Sequence, residues 1–552
     1  MFDLMRMADG SDLDRSKRLR FTFDGRACEG FAGDTIASAL LANGIRIVGR
    51  SFKYHRPRGV YSAGPEEPSA ILDLRHGAHH DPNARATLEP LADGMELRSI
   101  HAQGTAEHDR LEFLDSLSRF IPSAFYYKTF IWPNWGLYEH RIRAMAGLGR
   151  VDGKARAASG AQRHAQADVC IVGAGPAGLT AALAAMRQGR RVMLVEAQPR
   201  LGGSLRHRDV LLDDLASADW VDRAEQALRA GGVQIISGAV AFGLYDHNVV
   251  GVAQRHVTDS ANGERLWLVR AAQIVVAAGA IERPLLFQHN DRPGIMLADA
   301  ALVYLRRYGV RLGQKVVVAT NNDSAYEVAH AFKSAGSEVT LVDSRASDAI
   351  DAGLVRQLGA AGIALLPGAR LVAATGKRVV ESVTLSDDRI LPTDFVAASG
   401  GWSPSLHLYC HAKGRPEWDE AAGAFRAGNK ISGVDVVGAA AGLWDFDALL
   451  QQAAQAVGGA EAPRSRGKVR QWTAPTEAPA VGVKGKRIWI DLQNDVTVAD
   501  IELAVRENFS AVEHLKRYTT LGMGTDQGKT SNINGLAVLS SRLGREQAKI
   551  GA

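Results

Sequence analysis

Residues 168–205 read DVCIVGAGPAGLTAALAAMRQGRRVMLVEAQPRLGGSL, and this stretch narrows the fold more than any other. An apolar run of strand length meets glycines at 173, 175 and 178. An Ala/Leu-rich helix follows, and a second apolar run ends at Glu196. Gly173 allows a tight turn, Gly175 lets the backbone approach a pyrophosphate, and Gly178 lets the helix pack closely on the strand. The helix start then faces the phosphates with its N–H groups and the positive end of its dipole. Glu196 lies 18 residues after Gly178, where a carboxylate accepts hydrogen bonds from a ribose diol. That choice favours an adenine dinucleotide without a 2′-phosphate. A lone G-x-G-x-x-G is a weak signal, but strand, glycines, helix, strand and acid in this order predict a Rossmann-like α/β unit.

Two further segments extend this unit. IVVAAGAIERPL at 274–285 reads as the strand and glycine turn by which a two-dinucleotide unit returns to its nucleotide. GQKVVVATNNDSAYEVAHAFKSAGSEVTLVDSR at 313–345 repeats strand, turn, helix and strand, with Asp343 at the second strand's end. Its glycine positions hold Thr320, Asn322 and Ala325. A Cβ there blocks close approach of a pyrophosphate, so this degenerate second unit is expected to have little or no nucleotide affinity. A late strand, VDVVGAAAG at 434–442, carries Ala439 where a flavin-binding unit would place an Asp over the ribityl chain. An adenine dinucleotide held mainly by its ADP half loses little by that change. NAD therefore ranks above FAD for the Gly173 site, with a flavin held by other contacts as the alternative.

Composition bounds the rest. The chain has 552 residues, 46% hydrophobic and 23% charged, which suits several soluble globular domains. A net charge of +5 is small for this length and gives no reason to expect nucleic acid. No window approaches a membrane span and no leader is legible, so a cytoplasmic protein is expected. Cys28, Cys170 and Cys410 lie far apart and make neither a C-x-x-C pair nor a zinc cluster, and no metal ligand set is read. Two polar or Pro/Gly-rich stretches, 148–167 and 458–486, read as linkers. The expected order is an arm at 1–17, a first module at 18–100 and an aromatic connector with linker at 101–167. The two-dinucleotide unit follows at 168–457, its degenerate second unit inserted at about 300–400. The linker 458–486 then leads to a helical module at 487–545. In the connector, FIPSAFYYKTFIWPNWGLYEH carries eight aromatics, which either pack within the subunit or anchor a partner chain.

The first module begins RLRFTFDGRACEGFAGDTIASALLANGIRI. Two strands around Asp24-Gly25 and a helix start at Gly33-Asp34 suggest a β-grasp fold similar to plant-type ferredoxins. Their loop carries C-x4-C-x2-C for an iron–sulfur cluster. Here the loop HRPRGVYSAGPEEPSA puts Ser62, Glu67 and Ala70 at those positions. In the last module, Thr497 with Asp500 and Ser510 with Glu513 have the spacing of capped helix starts. Ile501, Ala504 and Val505 give one helix an apolar face, and Val512 with Leu515 do so for the next. This resembles the helical domain of bacterioferritin-associated ferredoxins, whose four thiolate positions are Asp491, Gln493, Asp526 and Ser531 here. No cluster is expected in either module.

The order of these modules, with KYHRPRGVYSAGPEEP, VGAGPAGLTAA and EHLKRYTTLGMGTDQGKTSN, resembles the alpha subunits of heterotetrameric sarcosine oxidases along essentially the whole chain. Relatives with intact cluster cysteines include subunits of opine oxidases, hydrogen cyanide synthase and amino-acid dehydrogenases. The resemblance implies an oxidoreductase subunit that is active only with partners and oxidises N-methylglycine to glycine. It further implies a beta subunit carrying FAD and the substrate site, an FMN at the alpha–beta boundary, and gamma and delta subunits. On the same resemblance, electrons would pass to oxygen, and NAD would sit noncovalently at the glycine loop without an evident redox role. Carried over by position, the resemblance implies NAD contacts at Gly173, Gly175, Ala177, Gly178, Glu196, Ala197, Gln198, Gly203, Ser204, Ala241 and Ala439. Glu196 replaces an Asp of the family and Ala197 a Glu, so ribose contacts are expected to be fewer. The family's chain usually continues into an aminomethyltransferase-like domain that binds tetrahydrofolate. This sequence is therefore either a fragment or part of a complex whose folate step lies elsewhere.

The same resemblance assigns 514–531 to the alpha side of the FMN site. His514, Lys516 and Arg517 would supply positive charge, and Thr519, Thr520, Gln527, Lys529 and Thr530 would donate to phosphate and isoalloxazine. The alternative is that these residues cap helices and meet solvent. No catalytic acid or base is legible. Three classes stay open: a cofactor-holding subunit of a flavin amine oxidase, a free-standing pyridine-nucleotide oxidoreductase, and a structural NAD-binding scaffold.

Overall fold

The computed structural model describes residues 4–7, 12–128, 130, 132–146, 149–154, 160–255, 263–466 and 487–550. The chain groups into two compact units, one of residues 1–156, 282–401 and 477–552, the other of residues 157–281 and 402–476.

In the first unit, strands Arg26–Ala32, Asp14–Phe23, Met95–Ser99, Ile71–His76 and His79–Arg85 form one sheet in that order. The first and second are antiparallel, while Asp14–Phe23 and Met95–Ser99 run parallel, which is the β-grasp arrangement. Asp24 and Gly25 take φ of 48° and 81°, the left-handed pair that closes a two-residue hairpin. The helix Ile36–Ala42 begins at a Thr35/Ser38 capping box rather than at Gly33-Asp34, because the Thr35 hydroxyl meets the Ser38 N–H.

Residues 282–401 of this unit build a parallel sheet, in the order Ile295–Leu297, Phe395–Ser399, Lys315–Thr320, Glu338–Asp343, Ala364–Pro367. The C-terminal residues form the hairpin Trp489–Asp491 with Val496–Thr497 and the helices Val498–Arg506, Val512–Thr519 and Asn532–Leu543. Thr497 and Asp500 make the predicted capping box. Ser510 and Glu513 do not: the second helix starts at Val512 with Ala511 as its cap, a residue with no side-chain acceptor. Ile501, Ala504 and Leu515 bury in the shared core.

A buried ion network joins these three parts of the first unit. Arg56 grips Asp291 through Nε at 2.7 Å and Nη2 at 3.0 Å. Arg58 bonds both Asp291 and Asp495. Asp495 also accepts the backbone N–H of Lys53 at 3.1 Å and of Tyr54 at 3.2 Å. Both guanidiniums stand 5.1 Å from the Trp489 ring. The basic KYHRPRG run is thus an internal clamp. In the aromatic connector, Phe130 packs against Phe125 at 5.7 Å and Tyr138 at 5.1 Å, while Trp132 is 81% exposed.

In the second unit, the sheet order is Gln234–Ile236, Val192–Val195, Ala161–Val172, Arg265–Val276, Val249–Gln254, Ala239–Tyr245, with Val434–Val436 also paired to Arg265–Val276. Residues 161–167, read from sequence as linker, are strand: they continue Ala161–Val172 and pair with Arg265–Ala271. Their polar side chains are mostly exposed, which hides the strand from a hydrophobicity reading. Of the second predicted linker, Ser465–Arg466 pairs with Leu211–Leu212, and 467–486 lie outside the described residues. Helices Pro176–Arg187, Ser217–Ala230 and Phe446–Ala456 cover the sheet through Leu179, Leu183, Val221, Leu228 and Leu450.

Candidate dinucleotide site and cluster-like loops

The glycine turn follows strand Ala161–Val172 in the second unit. Gly173 has φ of 100°, and a Cβ built there would lie 2.3 Å from the Ala277 carbonyl oxygen. One built at Gly178 would lie 1.8 Å from the Gly173 carbonyl oxygen. At Gly175, which caps helix Pro176–Arg187, a Cβ would meet nothing within 4 Å. Two of the glycines are therefore required by the fold, whereas the third keeps open the space in front of the helix start.

The other predicted residues lie on the segments that follow or flank this turn. Glu196 is buried: Oε2 accepts the Ala174 N–H at 2.7 Å and Oε1 the Gln198 N–H at 2.8 Å, which fixes the carboxylate beside the turn. Ala197 is exposed next to it. The Gly202 N–H reaches the Ala174 carbonyl at 2.8 Å, and a Cβ on Gly203 would come 2.9 Å from Gly175 Cα, so Gly203 and Ser204 lie along the loop. Gly438 has φ of 68°, and its added Cβ would sit 2.8 Å from Ala177 Cβ, which brings Ala439 to the helix start. Ala241 lies on Ala239–Tyr245, two residues past Ala239, whose N–H donates to the Glu196 carbonyl at 2.9 Å.

In the degenerate Rossmann-like part of the first unit, the corresponding acid is taken by the chain itself. Asp343 accepts from the Tyr326 hydroxyl at 2.8 Å and from Arg345 Nη2 at 2.7 Å. A cavity of about 330 Å³ does occur in the second unit, lined by Tyr245, His247, Asn248, His411 and Lys413 among others, and none of the predicted site residues borders it.

The stretch 514–531 lies in the first unit. His514 and Arg517 are exposed, and Lys516 stands 3.7 Å from Glu513. The hydroxyls of Thr519, Thr520 and Thr530 donate to Leu515 O at 2.8 Å, Thr519 O at 2.5 Å and an Asp526 carboxylate oxygen at 3.1 Å. Gln527 donates to Gly524 O at 2.8 Å. Lys529 donates one of its three N–H bonds to Asp526 O at 3.1 Å. Burial pushes its ammonium below the ordinary value, and the Asp526 carboxylate pulls the other way.

The loop N–H groups also turn inward. Gly522 donates to Asp491 at 2.8 Å, Thr525 to Gln493 at 2.7 Å and Gly528 to Asp526 at 3.3 Å. An anion arriving here would meet side-chain cations rather than a backbone cradle. Among the described residues, no three His, Cys, Asp or Glu side chains gather so as to hold a metal.

Burial, and then the neighbouring Asp526 charge, push the Asp491 carboxyl up to about 6. A raised carboxyl stabilises the fold fully below its ordinary value and loses that contribution as pH climbs through about 6. Lowering the pH from 7.5 to 5.5 should therefore raise the hydrogen-exchange protection factors in 487–530, each taken against the intrinsic exchange rate at its own pH, and Asp526→Asn should flatten the effect. Protection factors in the parent chain that do not change between these pH values would contradict this.

A 2Fe-2S iron–sulfur cluster binding domain profile matches residues 16–102, a pyridine nucleotide-disulphide oxidoreductase profile 167–429, and a sarcosine oxidase A3 domain profile 485–552. The sarcosine oxidase subunit alpha of Rhizobium meliloti (strain 1021) is 40% identical over 98% of this chain and 56% of its own length. That of Corynebacterium sp. (strain U-96) is 34% identical over 98% of this chain and 55% of its own. Among solved structures, the L-proline dehydrogenase from P.horikoshii covers 98% of this chain and 95% of that one, with a TM-score of 0.70 and 20% identity, a likeness of fold. The chain spans about half the length of the curated relatives it matches. No described helix is long and apolar enough to cross a membrane. Fold class, module order and nearly full-length similarity together make this chain a relative of the sarcosine oxidase alpha subunits.

Proposed function

We propose that the chain serves as the alpha subunit of a cytoplasmic, hetero-oligomeric sarcosine oxidase, holding NAD at the Gly173 turn and contributing to an FMN site shared with a beta subunit. The partner would carry FAD and the substrate pocket, with gamma and delta subunits completing the complex. The observation that carries the reading is the open space before Gly175, flanked by the fixed Glu196 carboxylate and the Ala439 turn. The N–H groups of Ala177 and Gly178 would receive the pyrophosphate and Glu196 the ribose diol, with Gln198, Ser204 and Ala241 lining the adenosine side. Ala439 offers no carboxylate to a ribityl chain, which favours NAD over FAD.

For FMN, the phosphate dianion would meet Lys529, with His514, Lys516 and Arg517 supplying long-range charge; the flavin supplies the electron-accepting ring. Thr519, Thr520, Gln527 and Thr530 spend hydrogen bonds inside the loop, so their part would be to hold Lys529 in place. Lys529→Ala should lower the FMN content of the complex with its beta subunit at least tenfold at limiting FMN, while NAD content stays at the parent level. Unchanged FMN would remove Lys529 from the site. That internal use of hydroxyls and amide also favours a second reading, a structural NAD-binding scaffold, which unchanged FMN in a combined His514/Lys516/Arg517/Lys529 alanine variant would support.

A further inference from the structure

The first module matches a cluster-binding profile, yet the residues do not fit a cluster. Cys28 is the one cysteine in its range, and Ser62, Glu67 and Ala70 stand where the loop spacing asks for thiolates. Cluster loops are anion sites: their successive backbone N–H groups converge on a negatively charged group of iron and sulfur. Here the convergence persists and its target is Glu67. Oε2 accepts the N–H groups of Tyr61 at 2.9 Å and Ser62 at 2.6 Å. Oε1 accepts those of Ser69 at 2.7 Å and Ala70 at 2.9 Å. The residue is fully buried. Burial pushes its carboxyl above the ordinary value, and the four N–H bonds offset part of that rise. All four partners are donors, an arrangement that only the ionised carboxylate satisfies in full.

The C-terminal module repeats the device. Three of its four thiolate positions, Asp491, Gln493 and Asp526, accept loop N–H groups, Asp491 from both Asn494 and Gly522 at 2.8 Å. We infer that side chains of this chain, Glu67 in one module and Asp491 with Asp526 in the other, have taken over the anionic centre of each cluster loop. Both modules then hold their shape without iron and carry no electron.

The test uses the purified full-length chain and Glu67. Glu67→Ala should lower the melting temperature on the order of 5 °C, and acetate or formate should recover part of that loss by occupying the vacated N–H pocket. The same salts should leave the parent and an unrelated core variant, Ile501→Ala, unmoved. Glu67→Gln, whose amide N–H₂ would point at two N–H donors, should melt below Glu67→Asp, which keeps the charge. That ranking stands as the test if the alanine variant does not fold. Chain made in iron-depleted medium should match the parent in yield and melting temperature. The inference falls if Glu67→Ala melts like the parent, if acetate raises it no more than Ile501→Ala, if Glu67→Gln outlasts Glu67→Asp, or if the purified chain carries stoichiometric iron and sulfide.

Discussion

Gly178→Ala is expected to collapse the dinucleotide unit, at a cost of more than about 3 kcal/mol. The added methyl would lie 1.8 Å from the Gly173 carbonyl oxygen and 2.9 Å from its carbon. Both are backbone atoms, so no rotamer change relieves the clash; helix Pro176–Arg187 has to move off its strand. That helix packs Leu179 and Leu183 against the core, so the loss spreads to the sheet. Hydrogen exchange read by mass spectrometry should show deprotection of 168–196 with little change in 487–530. Parent-like protection of the strand Ala161–Val172 in this variant would mean that the helix does not pack as described.

Asp291→Ala should be comparably severe in the first unit. Burial alone would push the Asp291 carboxyl up, and the Arg56 and Arg58 charges more than reverse this, holding it well below the usual carboxylate range. Removing it leaves two guanidiniums, 5% and 2% exposed, without their main counter-charge. Breaking a buried pair in this way costs about 3–5 kcal/mol. Arg389→Ala provides the contrast: it breaks the Asp387 pair, whose side chains are 48% and 43% exposed, and should cost below about 1 kcal/mol. Because a depressed carboxyl contributes fully above its unfolded value and loses that contribution as pH falls from there toward its folded value, this part of the parent's stability should be intact at neutral pH and decline progressively below about pH 4. Equal urea midpoints for the two variants would refute the clamp.

What the sequence made legible follows the range of each interaction. The Gly173–Glu196 element depends on residues within one strand–turn–helix–strand, and glycine chemistry is local, so its geometry could be read directly. The Thr497/Asp500 box is local too, and it forms. Ser510 and Glu513 have the same spacing but not the backbone path, since the helix begins at Val512. Residues 161–167 were hidden because an exposed strand extension has no apolar period. Arg56 and Arg58 lie more than 200 positions from Asp291 and Asp495, and nothing in a single sequence pairs them. Glu67 was visible as a missing thiolate; its four N–H partners emerge only when the loop is folded around it.

Gly175→Ala followed by identification of the cofactor released on denaturation tests the central claim most directly. An added Cβ at Gly175 meets no protein atom within 4 Å, and its φ of −73° suits any residue. Stability should therefore change by no more than about 1 kcal/mol, while the methyl occupies the space assigned to the pyrophosphate. The parent should release one NAD per chain and no FAD. Gly175→Ala should melt like the parent and release less than about a tenth of that NAD, a loss of roughly 1.4 kcal/mol or more in binding. NAD at the parent level in a well-folded Gly175→Ala chain, or FAD in place of NAD from the parent, would contradict the account.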